Sequence, residues 1–242
     1  MKVGFIDSGF GGLLLASTVQ KNFPFLEVVY IGDTKNMPYG EKEINILNTR
    51  YNAMQSFAKS HDLDLLVVAC NTLSATSFLT QEKKVETIDI ISLSVDYLND
   101  KNLKELTIIA TPNTINSKVY KNNLNQDILL HEIPTKTLAS LIERNNLYEA
   151  EKELESMVGD CKNHILLGCT HYSILKSKHP QLKIFSQDDI LIEYLNKLNL
   201  ESNDNSLNHK IKLFVNSDFE KYNNFGNELF GEGNFKLMLI DF

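Results

Sequence analysis

The sequence contains few cysteines and no long apolar run. Cys70, Cys161 and Cys169 are the three cysteines among 242 residues, and an odd number at wide spacing favours free thiols over a disulfide framework. No stretch approaches the roughly 18 apolar residues that a membrane helix needs. The start MKVGFIDSGFGG also lacks the basic, apolar and small-residue segments of a signal peptide. We therefore expect a cytoplasmic protein with no membrane partner and free thiols.

Positive charge is scarce as well. The chain has 24 Lys and Arg against 31 Asp and Glu, a net charge of −7. Nucleic-acid-binding proteins usually carry a surplus of basic residues on one face, so we expect no nucleic-acid partner and favour a small molecule. The 43% hydrophobic and 23% charged residues are typical of a globular chain that forms one large or two small domains.

Short apolar runs alternate with helical stretches, which is typical of an α/β protein. Most runs are continuously apolar, as in strands of a parallel sheet covered by helices on both faces. Ligands of such sheets bind at the carboxyl ends of the strands. The polar segment 201–209 predicts a surface loop. The predicted strands are 2–6, 28–31, 63–69, 88–91, 106–110, 128–131, 165–168, 183–185 and 211–215, and the predicted helices are 12–22, 42–61, 73–83, 136–145 and 147–158.

Two segments repeat one arrangement. LDLLVVACNT at 63–72 and NHILLGCTH at 163–171 each run from an apolar strand into a cysteine followed by small hydrogen-bonding residues. The repeat predicts two similar domains, each with a thiol at a strand exit. Cys70 precedes a predicted helix, whose N-terminus would lower the thiol pKa from about 8.5. His171 lies two residues after Cys169. Its imidazole can become positively charged near that thiol or share a proton with neighbouring groups. Either cysteine alone would more commonly be a small buried hydrophobe.

Two loops near the N-terminus are candidate ligand-binding segments. In FIDSGFGG at 5–12 the glycines predict a tight turn, and the following helix offers free backbone amides to an anion. The alternative is a plain strand-to-helix turn in which Asp7 accepts local hydrogen bonds. In GDTKNMPYG at 32–40, Pro38 restricts the backbone and Gly40 lets it turn. This loop either presents Tyr39 and backbone amides to a ligand or is a surface loop anchored by one aromatic.

Two separate thiols suit a reaction that moves a proton across a carbon. Inverting a stereocentre requires a base on one face and an acid on the other, and a thiol and a thiolate can exchange these roles. Because the α-proton of an amino acid is weakly acidic, the site must exclude water and hold the substrate carboxylate among hydrogen-bond donors. Suitable donors are Ser8, Asn71, Thr72 and Thr170.

Taken together, these segments resemble the glutamate racemases of the aspartate/glutamate racemase superfamily. Four blocks carry the resemblance in the family's order and spacing: FIDSGFGG at 5–12, GDTKNMPYG at 32–40, ACNTLSA at 69–75 and GCTHY at 168–172. The resemblance spans nearly the whole chain.

The resemblance implies a reaction, a fold and a set of site residues. It implies racemisation of L-glutamate to D-glutamate for peptidoglycan, and hence for cell-wall formation and cell shape, by a homodimeric isomerase without pyridoxal phosphate or a metal. It implies two similar α/β domains with mainly parallel sheets, 1–93 plus 187–242 and 94–186, with the active site in the cleft between them. Cys70 and Cys169 would be the catalytic acid and base, assisted by Asp7 and His171 respectively, and Glu143 would pair with the histidine. The implied substrate-binding residues are Asp7, Ser8, Tyr39, Gly40, Asn71, Thr72, Thr111, Thr114, Thr170 and His171.

The chain departs from the family pattern at several positions. Leu73 stands where alanine is usual, Ser173 stands for the usual proline or its neighbour, and Gln187 stands where glycine is common. Thr135-Lys136 replaces a usual Cys-Pro. Glutamate and aspartate differ by one methylene, which is worth only about 1–3 kcal/mol of discrimination. An aspartate racemase, or another superfamily enzyme with a small acidic substrate, therefore stays open.

Three other functions remain to be weighed. A single-cysteine isomerase, decarboxylase or hydrolase would use one thiol, and an amino-acid-binding protein would use none. A zinc site of Cys70, Cys169 and His171 lacks the close ligand pairs of a structural site. Cys161 has no polar cluster after it and is interpreted as structural. The remaining histidines are interpreted as surface or packing residues: His61, His131, His164, His179 and His209.

Overall fold

The structure, a computed structural model, describes residues 1–77, 85–159, 161–198, 200 and 211–241. The strands are β1 (Lys2–Asp7), β2 (Glu27–Gly32), β3 (Leu65–Val68), β4 (Thr87–Asp89), β5 (Glu105–Ala110), β6 (Leu129–Pro134), β7 (His164–Gly168), β8 (Lys183–Phe185), β9 (Ile211–Val215) and β10 (Lys236–Leu239). The α-helices are α1 (Phe10–Asn22), α2 (Ile44–Lys59), α3 (Asn71–Ser77), α4 (Ile90–Asn99), α5 (Pro112–Asn116), α6 (Val119–Asn123), α7 (Leu138–Glu143), α8 (Leu147–Val158), α9 (Gln187–Lys197) and α10 (Phe219–Phe230). Two 3₁₀ segments are Thr34–Asn36 and Thr170–Lys178.

The strands form two parallel sheets. The first has the order β10-β9-β2-β1-β3-β4 and the second the order β6-β5-β7-β8. In the first sheet Asp7 pairs with Gly32 at the carboxyl ends of β1 and β2. In the second, Ala110 pairs with Gly168 at the corresponding ends of β5 and β7. The predicted α/β class with parallel sheets is confirmed.

One apolar cluster joins the two sheets. It contains Phe5 and Val67 from the first sheet and Ile108 and Leu166 from the second, all fully buried. Alternate strand residues point to the opposite face, where α2 covers the first sheet and α8 covers the second. Since full burial of such a side chain stabilises the fold by about 1.5–3 kcal/mol, this shared core holds the carboxyl ends of the two sheets in place.

All nine predicted strands overlap observed ones, but the prediction for 88–91 is wrong at its end. Ile90 and Ile91 begin α4 because Asp89 caps this helix, accepting hydrogen bonds from the amide and the hydroxyl of Ser92 at 2.8 and 2.7 Å. Part of the predicted helix 73–83 and all of the predicted loop 201–209 lie outside the described residues. Six elements are not predicted by the sequence patterns: β10, α4, α5, α6, α9 and α10.

The division into domains 1–93 plus 187–242 and 94–186 stays a prediction, and each proposed part contains one sheet. In the described part of the chain, no helix combines the length and the apolarity needed to span a membrane.

Candidate active site

The carboxyl ends of strands from both sheets border one cavity. Cys70 lies just beyond β3 of the first sheet, and Cys169 directly follows β7 of the second. Both thiols are buried, at 7% and 8% exposure, and both line this cavity. The predicted site residues that line it are Ser8, Tyr39, Gly40, Cys70, Asn71, Thr72, Thr111, Cys169, Thr170 and His171. Asp7, Thr114 and Glu143 do not line it and lie behind its wall.

Asp7 is fully buried at the end of β1. Its carboxylate accepts a hydrogen bond from the Gly9 amide at 2.8 Å and one from the Thr170 hydroxyl at 3.2 Å. Burial raises the pKa of Asp7 to about 6, although the positive charge of His171 and these hydrogen bonds oppose the rise. Asp7 therefore connects the two sheets behind the cavity and titrates close to neutral pH.

Replacing Asp7 with asparagine is expected to stabilise the fold at pH 8 and to lower activity. A pKa of about 6 instead of the ordinary 3.8 means that wild-type stability falls as the pH rises from about 4 through 6, by up to about 3 kcal/mol. Asparagine carries no charge and can still accept from the Gly9 amide. Urea unfolding should show the variant gaining on the wild type between pH 4 and pH 8.

The exposed Asp96→Asn variant on α4 is the matched control and should show no such gain. A wild-type protein that gained stability relative to Asp7→Asn as the pH rose would contradict this expectation.

The N-terminus of α1 binds a carboxylate of the same chain, that of Glu143. The Phe10 amide donates to Oε2 of Glu143 at 2.9 Å. The expected tight turn is present, since only Ser8 and Gly9 separate β1 from α1, but it needs no positive φ, because Gly9 is extended at φ −169°. Gly11 lets α1 lie close to the segment that follows Cys169. A Cβ at this position would lie 2.4 Å from Oγ1 of Thr170 and 2.6 Å from the backbone nitrogen of His171.

His171 lies between Glu143 and Cys169. Its Nε2 is 2.8 Å from Oε2 of Glu143, and its Nδ1 is 3.8 Å from Sγ of Cys169. Burial opposes protonation of His171, but hydrogen bonds to Cys169 and Glu143 raise its pKa well above 6.5. In the protonated form that this pKa favours, Nε2 donates to the Glu143 carboxylate and Nδ1–H faces the sulfur, while the Gly11 amide lies 3.3 Å from Nε2.

Glu143 is held ionised by several donors. Lys221 Nζ and the Tyr222 hydroxyl donate to Oε1 at 2.7 and 2.9 Å. Burial would raise the pKa of Glu143, but the hydrogen bond and charge of His171, followed by those of Lys221, lower it to about 2. The predicted pairing of Glu143 with the histidine agrees with this geometry.

Cys70 has different surroundings. Its Sγ lies 3.9 Å from Oγ of Ser8, and α3 begins at the next residue. Burial raises the pKa of Cys70, and the nearby Asp7 raises it further, while a hydrogen bond from the Leu73 amide acts in the opposite direction. The expectation that the helix N-terminus would lower this pKa is wrong, because burial outweighs the helix amide. Cys70 is therefore a thiol at neutral pH, and the two cysteines are electrostatically unequal.

Amide and hydroxyl contacts join the sheets around Cys70. Asn71 and Gln187 form a reciprocal amide pair, with Nδ2 of Asn71 2.5 Å from Oε1 of Gln187 and Nε2 of Gln187 2.6 Å from Oδ1 of Asn71. The Tyr120 hydroxyl also donates to Oδ1 of Asn71 at 3.0 Å. These contacts fix the amide that follows the thiol.

A second set of contacts connects threonines. Oγ1 of Thr72 lies 2.8 Å from Oγ1 of Thr111, which lies 3.0 Å from Oγ1 of Thr114. Thr72 and Thr111 therefore border the cavity from opposite sheets, and Thr114 supports Thr111 from behind.

The loop 32–40 is anchored by Asp33. This buried carboxylate accepts from the Tyr39 hydroxyl, from Nε and Nη2 of Arg50 at 2.7 and 3.0 Å, and from the Asn216 amide at 2.5 Å. Burial raises the pKa of Tyr39, and the negative charge of Asp33 raises it further. Tyr39 consequently lines the cavity while its hydroxyl is used within the protein.

Some departures from the family pattern line the cavity and others do not. Leu73 is fully buried in the core against α2 and does not line the cavity. Thr135 and Lys136 do line it. Nζ of Lys136 lies 3.9 Å from Oε1 of Glu41, another lining residue, and both side chains are well exposed. The pair lies at the cavity mouth, where solvent screening makes its contribution small.

Sequence comparisons bear on this site. A family model described as Asp/Glu/Hydantoin racemase matches residues 16–188. The chain belongs to this racemase family. The glutamate racemase of Helicobacter acinonychis is 33% identical over 226 residues, which cover 81% of this chain and 86% of the relative. The family resemblance inferred from the sequence is confirmed.

Solved structures match the fold of the racemase. A glutamate racemase from Francisella tularensis in complex with D-glutamate has a TM-score of 0.82 and 25% identity, covering 99% of this chain and 97% of its own. A glutamate racemase isoform from Bacillus anthracis has a TM-score of 0.86 at 24% identity, with the same coverage. Aspartate racemase from Picrophilus torridus shares the fold at a TM-score of 0.66 and 20% identity, over 81% of this chain and 93% of its own. The fold alone therefore does not separate these two substrates.

Several residues that shape the racemase's site were not predicted. Lys221 and Tyr222 lie on α10, a helix that the sequence analysis did not find. Tyr120 and Arg50 lie in segments that carry no recognisable motif. The position of Asp33 indicates buried partners, because a charged residue directly after a continuously apolar strand is buried only when it is paired.

Proposed function

We propose that this racemase converts L-glutamate to D-glutamate by proton transfer between Cys70 and Cys169, without a cofactor. The observation that carries the proposal is the pair of buried thiols on one cavity, one from each sheet, with unlike partners. An amino-acid-binding protein requires neither thiol, and a single-cysteine enzyme requires only one of them.

The unlike surroundings of the two thiols support one order of proton transfer. In the proposed first step Cys169, whose Sγ lies 3.8 Å from Nδ1 of His171, acts as the base, and Cys70, whose pKa is raised by burial and by Asp7, acts as the acid. In the L-to-D direction the Cys169 thiolate removes the α-proton, and the Cys70 thiol delivers its proton to the opposite face. Cys169 then carries the proton and Cys70 the negative charge, and exchange with solvent restores the starting state.

Hydrogen-bond donors around the cavity suit a substrate carboxylate. Ser8, Asn71 and Thr72 line the cavity and are each at least 95% buried, whereas the Thr170 hydroxyl, which also lines it, donates to Asp7. A buried carboxylate held by such donors can stabilise the charge that develops as the α-proton leaves. The burial of these side chains strengthens the electrostatic interactions that they make with a bound substrate.

Glutamate is favoured over aspartate by the relatives. The Helicobacter acinonychis relative is named a glutamate racemase, and a similar fold binds D-glutamate in the Francisella tularensis structure. Aspartate racemisation is the alternative, supported by the departures Thr135 and Lys136 at the cavity. We further propose a cytoplasmic homodimer that supplies D-glutamate for peptidoglycan, and hence for the cell wall and cell shape.

Circular dichroism of L-glutamate, D-glutamate, L-aspartate and D-aspartate tests this proposal. Each amino acid is incubated with metal-free, cofactor-free protein, and with the Cys169→Ser variant as a control. We expect the glutamate signal to decay to zero from both enantiomers, and this decay to be lost in the variant. Decay of aspartate alone would reassign the substrate. Stability of all four signals would refute two-thiol racemisation of acidic amino acids.

A further inference from the structure

A cluster of metal-binding side chains lies away from the cavity. Glu151 and Glu155 are one helical turn apart on α8, and His179 directly follows the 3₁₀ segment Thr170–Lys178. One ligand atom from each of these three residues lies within 4.8 Å of the other two. Two carboxylates and an imidazole thus converge where α8 packs against the segment that begins beside Cys169.

The imidazole of His179 is buried, and one of its two nitrogens has no hydrogen-bond partner in the described part of the chain. The residue is 1% exposed, and its Nε2 has no partner among the described residues. A neutral imidazole has one N–H donor and one acceptor nitrogen, and burying such groups unpaired is unfavourable. His179 has no motif around it in the sequence, which predicts a surface or packing residue, but packing alone leaves this nitrogen unexplained.

Within the described ranges of the chain, the two glutamates also have no counter-charge. Like charges at positions i and i+4 of a helix repel each other. Among the residues that the structure describes, no ion pair or hydrogen bond joins either side chain to a cation. Glu151 is half-buried and Glu155 is exposed, so each carboxylate can rotate towards the imidazole.

We propose that Glu151, Glu155 and His179 bind a divalent transition-metal ion of the Zn²⁺ class, with water completing its coordination. Metal–ligand distances of about 2.0–2.2 Å place tetrahedral ligand atoms about 3.4 Å apart. Atoms within 4.8 Å of one another reach this spacing by rotation of the glutamate side chains. One nitrogen with two carboxylate oxygens suits Zn²⁺, Co²⁺ or Mn²⁺ and disfavours thiophilic Cu⁺.

The metal joins α8 to the end of the segment that begins with Thr170 and His171. Its role is structural, because the three ligands do not line the cavity. The proposal is therefore independent of the proposed function, whose reaction needs no metal. At a free Zn²⁺ concentration about 100-fold above the Kd, binding raises the unfolding midpoint by about 5–10 °C.

Isothermal titration calorimetry of the untagged, chelator-treated chain with Zn²⁺ tests the site, and visible absorption with Co²⁺ tests its ligands. The wild type and the Glu149→Gln control, which removes an exposed carboxylate of the same helix, should bind one equivalent with equal affinity. Glu151→Gln and Glu155→Gln should each weaken binding at least tenfold. The Co²⁺ spectrum should show nitrogen and oxygen ligands without a thiolate charge-transfer band.

Surface glutamate variants are used first because His179→Gln alters a buried residue. Absence of Zn²⁺ binding would overturn the proposal. Unchanged Zn²⁺ binding by the Glu151→Gln/Glu155→Gln double variant would also overturn it. A thiolate charge-transfer band with Co²⁺ would overturn it as well, because it would place the ion at the cysteines. Racemisation measured with and without Zn²⁺ is expected to be unchanged at 25 °C.

Discussion

Replacing either Cys70 or Cys169 with serine is expected to lower kcat/KM for racemisation about 10²–10⁴-fold, the usual contribution of a general acid or base. Each half of the proposed reaction uses one thiol, so neither can substitute for the other. A serine hydroxyl keeps the shape of the side chain but is far less acidic than a thiol. The loss is measured by circular dichroism from each enantiomer.

Cys161→Ser is the matched control, because it makes the same change at a thiol outside the cavity. Sγ of Cys161 donates to Oδ1 of Asn163 at 2.5 Å and lies 3.7 Å from Oγ1 of Thr107. This variant should retain wild-type kcat/KM. A Cys70→Ser or Cys169→Ser protein with the same activity as Cys161→Ser would rule out that thiol as an acid or base.

Exchange of the α-proton with solvent reports on each thiol separately. In the proposed assignment Cys169 removes the proton of L-glutamate and Cys70 that of D-glutamate. Cys70→Ser should therefore lose exchange at D-glutamate. Normal exchange of D-glutamate in this variant would reverse the assignment.

Replacing Glu143 with alanine is expected to destabilise the fold by about 3–5 kcal/mol, the usual result of breaking a buried ion pair. The change leaves His171, the Phe10 amide and the Tyr222 hydroxyl without their common acceptor. For a chain of this size the unfolding midpoint should fall by about 6–20 °C. Thermal and urea unfolding measure the loss, and activity should fall with it because His171 loses its orientation.

The pH dependence of this loss has a defined sign. The pKa of Glu143 is lowered to about 2 from 4.5, so its contribution is complete above pH 4.5 and disappears as the pH falls towards 2. The pKa of His171 is raised well above 6.5, so its contribution is complete below pH 6.5 and is lost as the pH rises through that higher value. The destabilisation should therefore be largest between about pH 4.5 and 6.5.

Glu228→Ala on α10 is the control for Glu143→Ala, since it removes an exposed carboxylate from the helix that carries Lys221 and Tyr222. Its stability should lie within about 0.5 kcal/mol of the wild type. Equal stability of the two variants would show that the buried carboxylate is not part of a stabilising network.

The sequence predicted the framework because continuous apolar runs such as Leu65–Val68 require a parallel sheet with both faces covered. It failed at Ile90 and Ile91, where two β-branched residues outweighed a correct helix signal, the Asp89 cap. It also missed α10, whose interior asparagines and Gly226 are poor helix formers stabilised by tertiary packing.

Within the candidate site, the sequence located the residues that directly follow strands but not the partners that set their charge. Cys169 and His171 are adjacent in a motif, whereas Lys221 lies 78 residues from Glu143. The pKa of Cys70 could not be predicted either, because its direction depends on how completely the fold buries the thiol. Local sequence shows which groups are present, and only the packed structure shows their dielectric surroundings.

The contacts of Glu143 also have a consequence for the order of folding. Its donors lie 133, 28 and 78 residues away along the chain, at Phe10, His171 and Lys221. Closing loops of this length costs conformational entropy before any contact forms. The carboxylate therefore has its full set of donors only when both sheets and α10 are assembled. A partly folded chain that lacks the first sheet or α10 therefore carries both thiols without the complete network that surrounds Glu143 and His171.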